Sequence, residues 1–97
     1  MADPDPEALR RTREDIYPSR YGSWDESIRL CMPDELQGAA DLVVIGTPPD
    51  LHMDIALEVL RKAAPRAMLI EKPLCTPDLK GLAQLVQASK AAGTQVL

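Results

Sequence analysis

Asp41-Leu42-Val43-Val44-Ile45-Gly46-Thr47-Pro48-Pro49-Asp50-Leu51-His52 is the stretch that decides the fold. The apolar run from Leu42 to Ile45 is what a strand covered on both faces requires. A Gly-Thr-Pro-Pro turn stops it, and a helix is expected from about residue 50 to 63. Leu51, Ile55, Val59 and Leu60 line one side of that helix, while Asp54, Glu58, Arg61 and Lys62 form a polar stripe. Pro65 ends it, and a second apolar run, Ala67-Met68-Leu69-Ile70, closes on Glu71-Lys72-Pro73. Strand, helix and strand with short connections predict a right-handed crossover in a parallel sheet. Both polar turns then open at the carboxyl ends of their strands, where open α/β sheets hold ligands.

Downstream, Thr76 is expected to cap a helix with Pro77 at its first position and Asp78 beside it. Leu79, Leu82, Leu85 and Val86 supply its apolar face, Gly93 stops it, and Gln95-Val96-Leu97 begins a third strand. Strands are thus expected near 41–46, 67–71 and 94–97. Upstream, Asp5 can cap a helix that opens with Pro6 and Glu7. Glu7–Arg11 and Arg10–Glu14 are opposite charges at i, i+4. Pro18 disfavours helix at Tyr17, so the helix is expected to stop near Ile16. Interleaved with acids, Arg10, Arg11 and Arg13 read as a solvated face rather than a phosphate patch. Residues 18–40 are punctuated by Pro18, Gly22, Pro33 and Gly38, with a helical turn or two expected over 25–30. Trp24 reads as a half-buried packing residue rather than a ligand platform.

A chain of 97 residues makes one small domain at most, and 45% hydrophobic residues is an ordinary share for a folded one. With Trp24, Tyr17, Tyr21 and no Phe, the core must be aliphatic. Fifteen acids against eleven bases give a net charge of -4, which argues against nucleic acid or anionic membrane as the main partner. Cys31 and Cys75 have no metal-like spacing, so no metal site is expected and both read as reduced thiols. Without a signal-like start or a membrane-length apolar run, the expected location is the cytoplasm.

The chemistry gathers on the two turns. Lys72 offers a mobile cation with three donors, suited to a hydroxyl or a ribose. Glu71 can orient it or accept from a ribose hydroxyl. Pro73 fixes the turn, and a cis Lys72–Pro73 bond is compatible with it. His52, in the first turn of a helix, could donate to a ligand or relay protons. Thr47 could bond a ligand or satisfy its own turn. Each has a plain alternative when taken alone: a surface Glu-Lys pair, a loop proline, a histidine packed on its own helix.

Their joint pattern is more specific. Asp41 to His52 followed by Glu71-Lys72-Pro73-Leu74 resembles the nucleotide-binding domain of the Gfo/Idh/MocA family (glucose–fructose oxidoreductase, inositol dehydrogenase and relatives). The resemblance implies a Rossmann fold and an NAD(P)-dependent oxidoreductase acting on a sugar, cyclitol or related polyol. It implies that Thr47, Pro48, Pro49 and His52 border the cofactor. Glu71, Lys72 and Pro73 would then approach the nicotinamide ribose, with Lys72 also reaching the substrate hydroxyl as the catalytic residue. More loosely, Asp3 would correspond to the acid that holds the adenosine ribose.

The 97 residues contain no Gly-x-Gly-x-x-Gly turn, which in the family holds the pyrophosphate. The expectation is therefore a partial Rossmann domain over residues 1–97, a fragment or truncated relative without the first strand or the substrate domain. NAD or NADP would bind weakly or not at all to such a chain, and it would be inactive alone. The strand at 41–46 would be left as a raw sheet edge, covered either by residues 1–25 or by another chain, such as a symmetric mate. A non-catalytic interaction module using that edge or residues 17–40 is the competing expectation. Another nucleotide- or CoA-binding Rossmann domain has only the general architecture in its favour.

Overall fold

The computed structural model describes residues 1–36 and 38–97, in two compact units, Met1–Gln37 and Gly38–Leu97. In the first unit a helix runs through α1 (Pro6–Arg11), a π-helical segment (Thr12–Ile16) and α2 (Tyr17–Tyr21). Asp5 caps it, its carboxylate accepting from the Glu7 N–H at 2.9 Å. The expected stop near Ile16 does not occur. Proline inside an α-helix removes a hydrogen bond and drives its ring into the carbonyl four residues back. Here the preceding turn is widened, with the Tyr17 N–H reaching back to the Thr12 carbonyl, and Pro18 is passed without a break. Gly22, at φ 89°, ends the helix.

The contacts of this unit lie on its surface. Arg10 pairs with Glu14, as expected, and with Glu7, which takes Arg10 rather than Arg11. The Tyr17 ring lies 4.7 Å from Tyr21 and, edge-on, 5.1 Å from Trp24, centre to centre. Trp24 is half-buried, with the Arg13 guanidinium 5.7 Å from its ring centre. Residues 25–30 form no helix. The Asp25 carboxylate accepts from Ser27 N–H and its carbonyl from Ile28 N–H, closing a single turn. A 3-10 turn follows at Pro33–Glu35, and Ala2 makes a parallel bridge with Cys31.

The second unit alternates β1 (Leu42–Ile45), α3 (His52–Lys62), β2 (Ala67–Ile70), α4 (Leu82–Ala92) and β3 (Gln95–Val96). The strands are parallel in the order β1-β2-β3, with Val43 opposite Met68, Ile45 opposite Ile70 and Met68 opposite Val96. Those side chains meet α3 and α4 in one aliphatic core of Ile45, Met53, Ala56, Leu60, Met68, Ile70 and Leu85. Each large side chain fully buried there stabilises by roughly 1.5–3 kcal/mol.

Two expectations are corrected here. The apolar run of β1 is covered on one face only: Val43 and Ile45 pack inward, while Leu42 and Val44 stay 54% and 58% exposed. In addition, α4 begins at Leu82, not at Thr76. The Asp78 carboxylate takes the Thr76 hydroxyl and the Lys80 N–H, a local pattern that competes with helix. Leu79 and Gly81 then adopt positive φ, 56° and 83°.

Candidate functional site

The site is built from the first residues beyond β1 and β2. The Glu71 N–H donates to the Ile45 carbonyl at 3.0 Å, carrying the strand pairing one step further. Glu71 and Gly46 therefore lie side by side, and a methyl group on Gly46 would stand 3.5 Å from the Glu71 carboxyl carbon. The Lys72–Pro73 peptide is cis. Across from it, the Leu51 N–H donates to the Pro48 carbonyl at 2.9 Å, turning the chain into α3.

His52 opens α3 and is 1% exposed. Its Nε2 lies 2.6 Å from the Thr47 carbonyl and its Nδ1 3.1 Å from the Pro73 carbonyl. The imidazole thus joins the turn after β1 to the turn after β2, and both ring nitrogens are spent on main-chain oxygens. His52 was expected to donate to a ligand or relay protons; in the structure it is buried with both ring nitrogens facing main-chain oxygens. Nothing in the sequence separates these placements, because both put a histidine in the first turn of a helix.

Thr47, Pro48, Pro49, His52, Glu71, Lys72 and Pro73 are therefore gathered at one end of the sheet. Glu71 and Lys72 are exposed, and with Leu69, Ile70 and Leu97 they line an open depression of ≈ 570 Å³. The Thr47 Oγ1 is buried and has no hydrogen-bond partner among the described residues. A buried hydroxyl left unpaired costs about 1–3 kcal/mol, which a ligand oxygen or nitrogen at that point would remove. That orphaned hydroxyl on the turn after β1, with the exposed Glu71 carboxylate and Lys72 ammonium on the turn after β2, fits a polar ligand such as a ribose or amide. Asp3 belongs to the first unit, where its carboxylate accepts from the Asp5 N–H at 2.8 Å. Among the described residues no three His, Cys, Asp or Glu side chains gather as metal ligands, and no helix is long and apolar enough to cross a membrane. Cys31 and Cys75 are free thiols.

A parallel sheet with crossover helices and its polar turns collected at the strand ends defines a Rossmann-like nucleotide-binding domain. The chain belongs to the Gfo/Idh/MocA family, described as an oxidoreductase family with an NAD-binding Rossmann fold, which it matches over residues 1–97. Among solved structures it is similar to the WlbA dehydrogenase from Bordetella pertussis in complex with NADH and UDP-GlcNAcA. The TM-score is 0.70 and the identity 29%, over 99% of this chain and 25% of that one. An uncharacterized protein of Schizosaccharomyces pombe (strain 972 / ATCC 24843) is 43% identical over 49 residues, 44% of this chain and 13% of its own length. The chain thus spans a quarter or less of both relatives.

Proposed function

We propose that the two turns form the nicotinamide-side wall of an NAD(P)-dependent oxidoreductase site that acts on a hydroxyl of a sugar, cyclitol or related polyol. The observation that carries this reading is the gathering, at one end of the sheet, of the turn that holds the buried, unpartnered Thr47 hydroxyl and the turn that exposes Glu71 and Lys72. NADH and a sugar nucleotide in the WlbA complex support the same ligand classes. The nicotinamide, when bound, supplies the hydride acceptor or donor. Lys72 directs an N–H at the substrate oxygen and shares in moving its proton. Glu71 accepts from a ribose hydroxyl or orients Lys72. Thr47, Pro48 and Pro49 border the cofactor, and Pro73 shapes the turn.

Hydride transfer needs cofactor and substrate pinned in contact. Residues 1–97 contain no Gly-x-Gly-x-x-Gly turn, so on this reading they bind NAD(P) weakly alone and work as part of a larger site. Calorimetric titration tests the first half, and tight stoichiometric binding would refute it. In a protein that joins these residues to a Gly-rich turn and a substrate domain, Lys72→Ala should lower turnover roughly 100-fold or more while changing cofactor affinity little. Unchanged turnover removes Lys72 from the mechanism.

A second reading, a non-catalytic module that pairs through the β1 edge or through residues 17–40, is favoured by the exposure of Leu42 and Val44 on that strand. Gln37, within that range, lies outside the described residues. Mass measurement in solution separates the readings: a stable homo-oligomer supports the module, and a strict monomer removes this argument for it.

A further inference from the structure

Four of the five glycines, Gly22, Gly38, Gly81 and Gly93, stand at positive φ, where glycine is favoured. Gly46 is the exception, so its backbone does not call for glycine. Glycine at a strand end also serves where another group must come close to the main chain. Gly46 is exposed, and the three nearest atoms to a Cβ built on it, its chain neighbours aside, all belong to the Glu71 carboxyl group. The carboxyl carbon would stand at 3.5 Å and both oxygens at 3.7 Å. The oxygens are equidistant and barely farther than the carbon, so the carboxylate lies face-down over Gly46 rather than edge-on. Its lone pairs lie near its own plane, so neither oxygen is turned into the main chain beneath.

We propose that Gly46 is a positioning residue: by carrying no side chain it leaves, at the end of β1, the space into which the Glu71 carboxylate folds. That space keeps both carboxylate oxygens over the residue that precedes Thr47. What the oxygens then meet, a ribose hydroxyl, rests on the nicotinamide-wall reading; the size limit at residue 46 rests on the contact itself. The bond from the Glu71 N–H to the Ile45 carbonyl, 3.0 Å, fixes the two residues as neighbours, so Glu71 has only its own torsions with which to avoid residue 46. A methyl group fits there, because 3.5 Å is ordinary van der Waals contact. A β-branched side chain fills staggered positions one bond further out, where the carboxylate now lies. Glu71 must then swing outward, off the end of β1.

NMR spectra of the 97-residue chain, without any nucleotide, test the contact. Cross-relaxation between the Gly46 α-protons and the Glu71 γ-protons is expected, and its absence overturns the proposal. Three-bond couplings then report the Glu71 side-chain torsions in variants. Gly46→Ala should keep the wild-type torsions. Gly46→Val, a residue suited to strand geometry, should change them while the Ile70 and Leu97 amides, bonded within the sheet, keep their exchange protection. Unchanged torsions in a folded Val variant overturn the size limit. If Val loosens the sheet, Gly46→Thr, equally branched but polar, makes the same test. NADH titrated at millimolar concentration gives the second arm. Gly46→Val and Glu71→Gln should each weaken that weak binding by roughly tenfold, and the double variant no further, because both act on one charge-assisted bond. Losses that multiply overturn a role through Glu71. If the wild-type chain shows no NADH binding at all, the nicotinamide reading fails, while the torsions still decide the contact.

Discussion

The two units solve the problem of folding in opposite ways. Gly38–Leu97 buries a connected aliphatic core between a sheet and two helices. In Met1–Gln37 the only described hydrophobic residue that is buried is Cys31, and α1, the π-helical segment and α2 bury none. That unit is held instead by the Arg10 ion pairs, the Tyr17–Tyr21–Trp24 contacts and caps, each worth a fraction of a buried side chain. The difference teaches where function can be fixed. A constellation held to tenths of an ångström needs rigid supports, and the residues of the candidate turns stand on strands with a dry interior beneath them. The first unit, resting on solvated contacts, is suited to supply surface rather than precision.

The sharpest way to break that comparison is Met68→Ala. Met68 is wholly buried at the centre of β2 and faces both neighbouring strands across the sheet. Truncation should cost about 2–5 kcal/mol, enough to unfold a unit this small. Urea denaturation should show the sheet lost at far lower denaturant. A loss under roughly 1 kcal/mol would mean that the core does not carry the second unit. Gly81→Ala comes next. Gly81 sits at φ 83°, and an added Cβ would stand 2.9 Å from the Met53 Cβ, so both backbone and packing resist it. A destabilisation of about 1–3 kcal/mol is expected, and a neutral result would show that the segment before α4 can shift freely.

How much of this was legible beforehand follows the same division. Where apolar pattern governs, the sequence sufficed: β2 falls on Ala67–Ile70, and α3 lies within one or two residues of its expected ends. The Glu71-Lys72-Pro73 and Thr47 turns could be placed together because a parallel sheet leaves them no other location. What failed was decided by single polar groups and local geometry. Asp78 could cap a helix or close its own turn, and both use the same residue types. Pro18 breaks most helices, but a widened turn lets one continue. The covered and bare faces of β1 have equally apolar residues, so Leu42 and Val44 gave no sign of exposure. His52 was correctly placed at the start of α3, but its direction depends on two carbonyl oxygens that no side-chain pattern encodes.

Tyr17→Ala should sharpen the contrast from the other side. Tyr17 is the one ring that touches both Tyr21 and Trp24, so its loss removes two aromatic contacts worth about 0.5–1.5 kcal/mol apiece. The fluorescence of Trp24, the sole tryptophan, should report loosening of the first unit. Exchange protection of Ile70 and Leu97 should not move. Parallel loss in both regions would show that the units are coupled and that the contrast drawn between them is wrong.

The smallest effect expected is on pH. In the second unit Asp78 is held below its ordinary value chiefly by the Thr76 hydroxyl, and then by the Lys80 N–H. In the first unit Glu7 is held down chiefly by its bond to Arg10, and Asp25 by Ser27. Since each folded carboxyl binds its proton less readily than the unfolded one, its contribution is complete above the ordinary carboxylate range. It is lost as pH falls through the lowered value. All three are fully exposed, so solvent and salt weaken each contribution. The units should nonetheless respond differently. Among its described residues the first has no apolar core behind its ion pairs, so acid should fray the Pro6–Arg11 helix while the sheet persists. In an NMR titration toward low pH, helical amide signals of residues 7–21 should shift before those of β1 and β2. Added salt should narrow the gap, and simultaneous loss of both sets would mean that the second unit, too, depends on its surface charges.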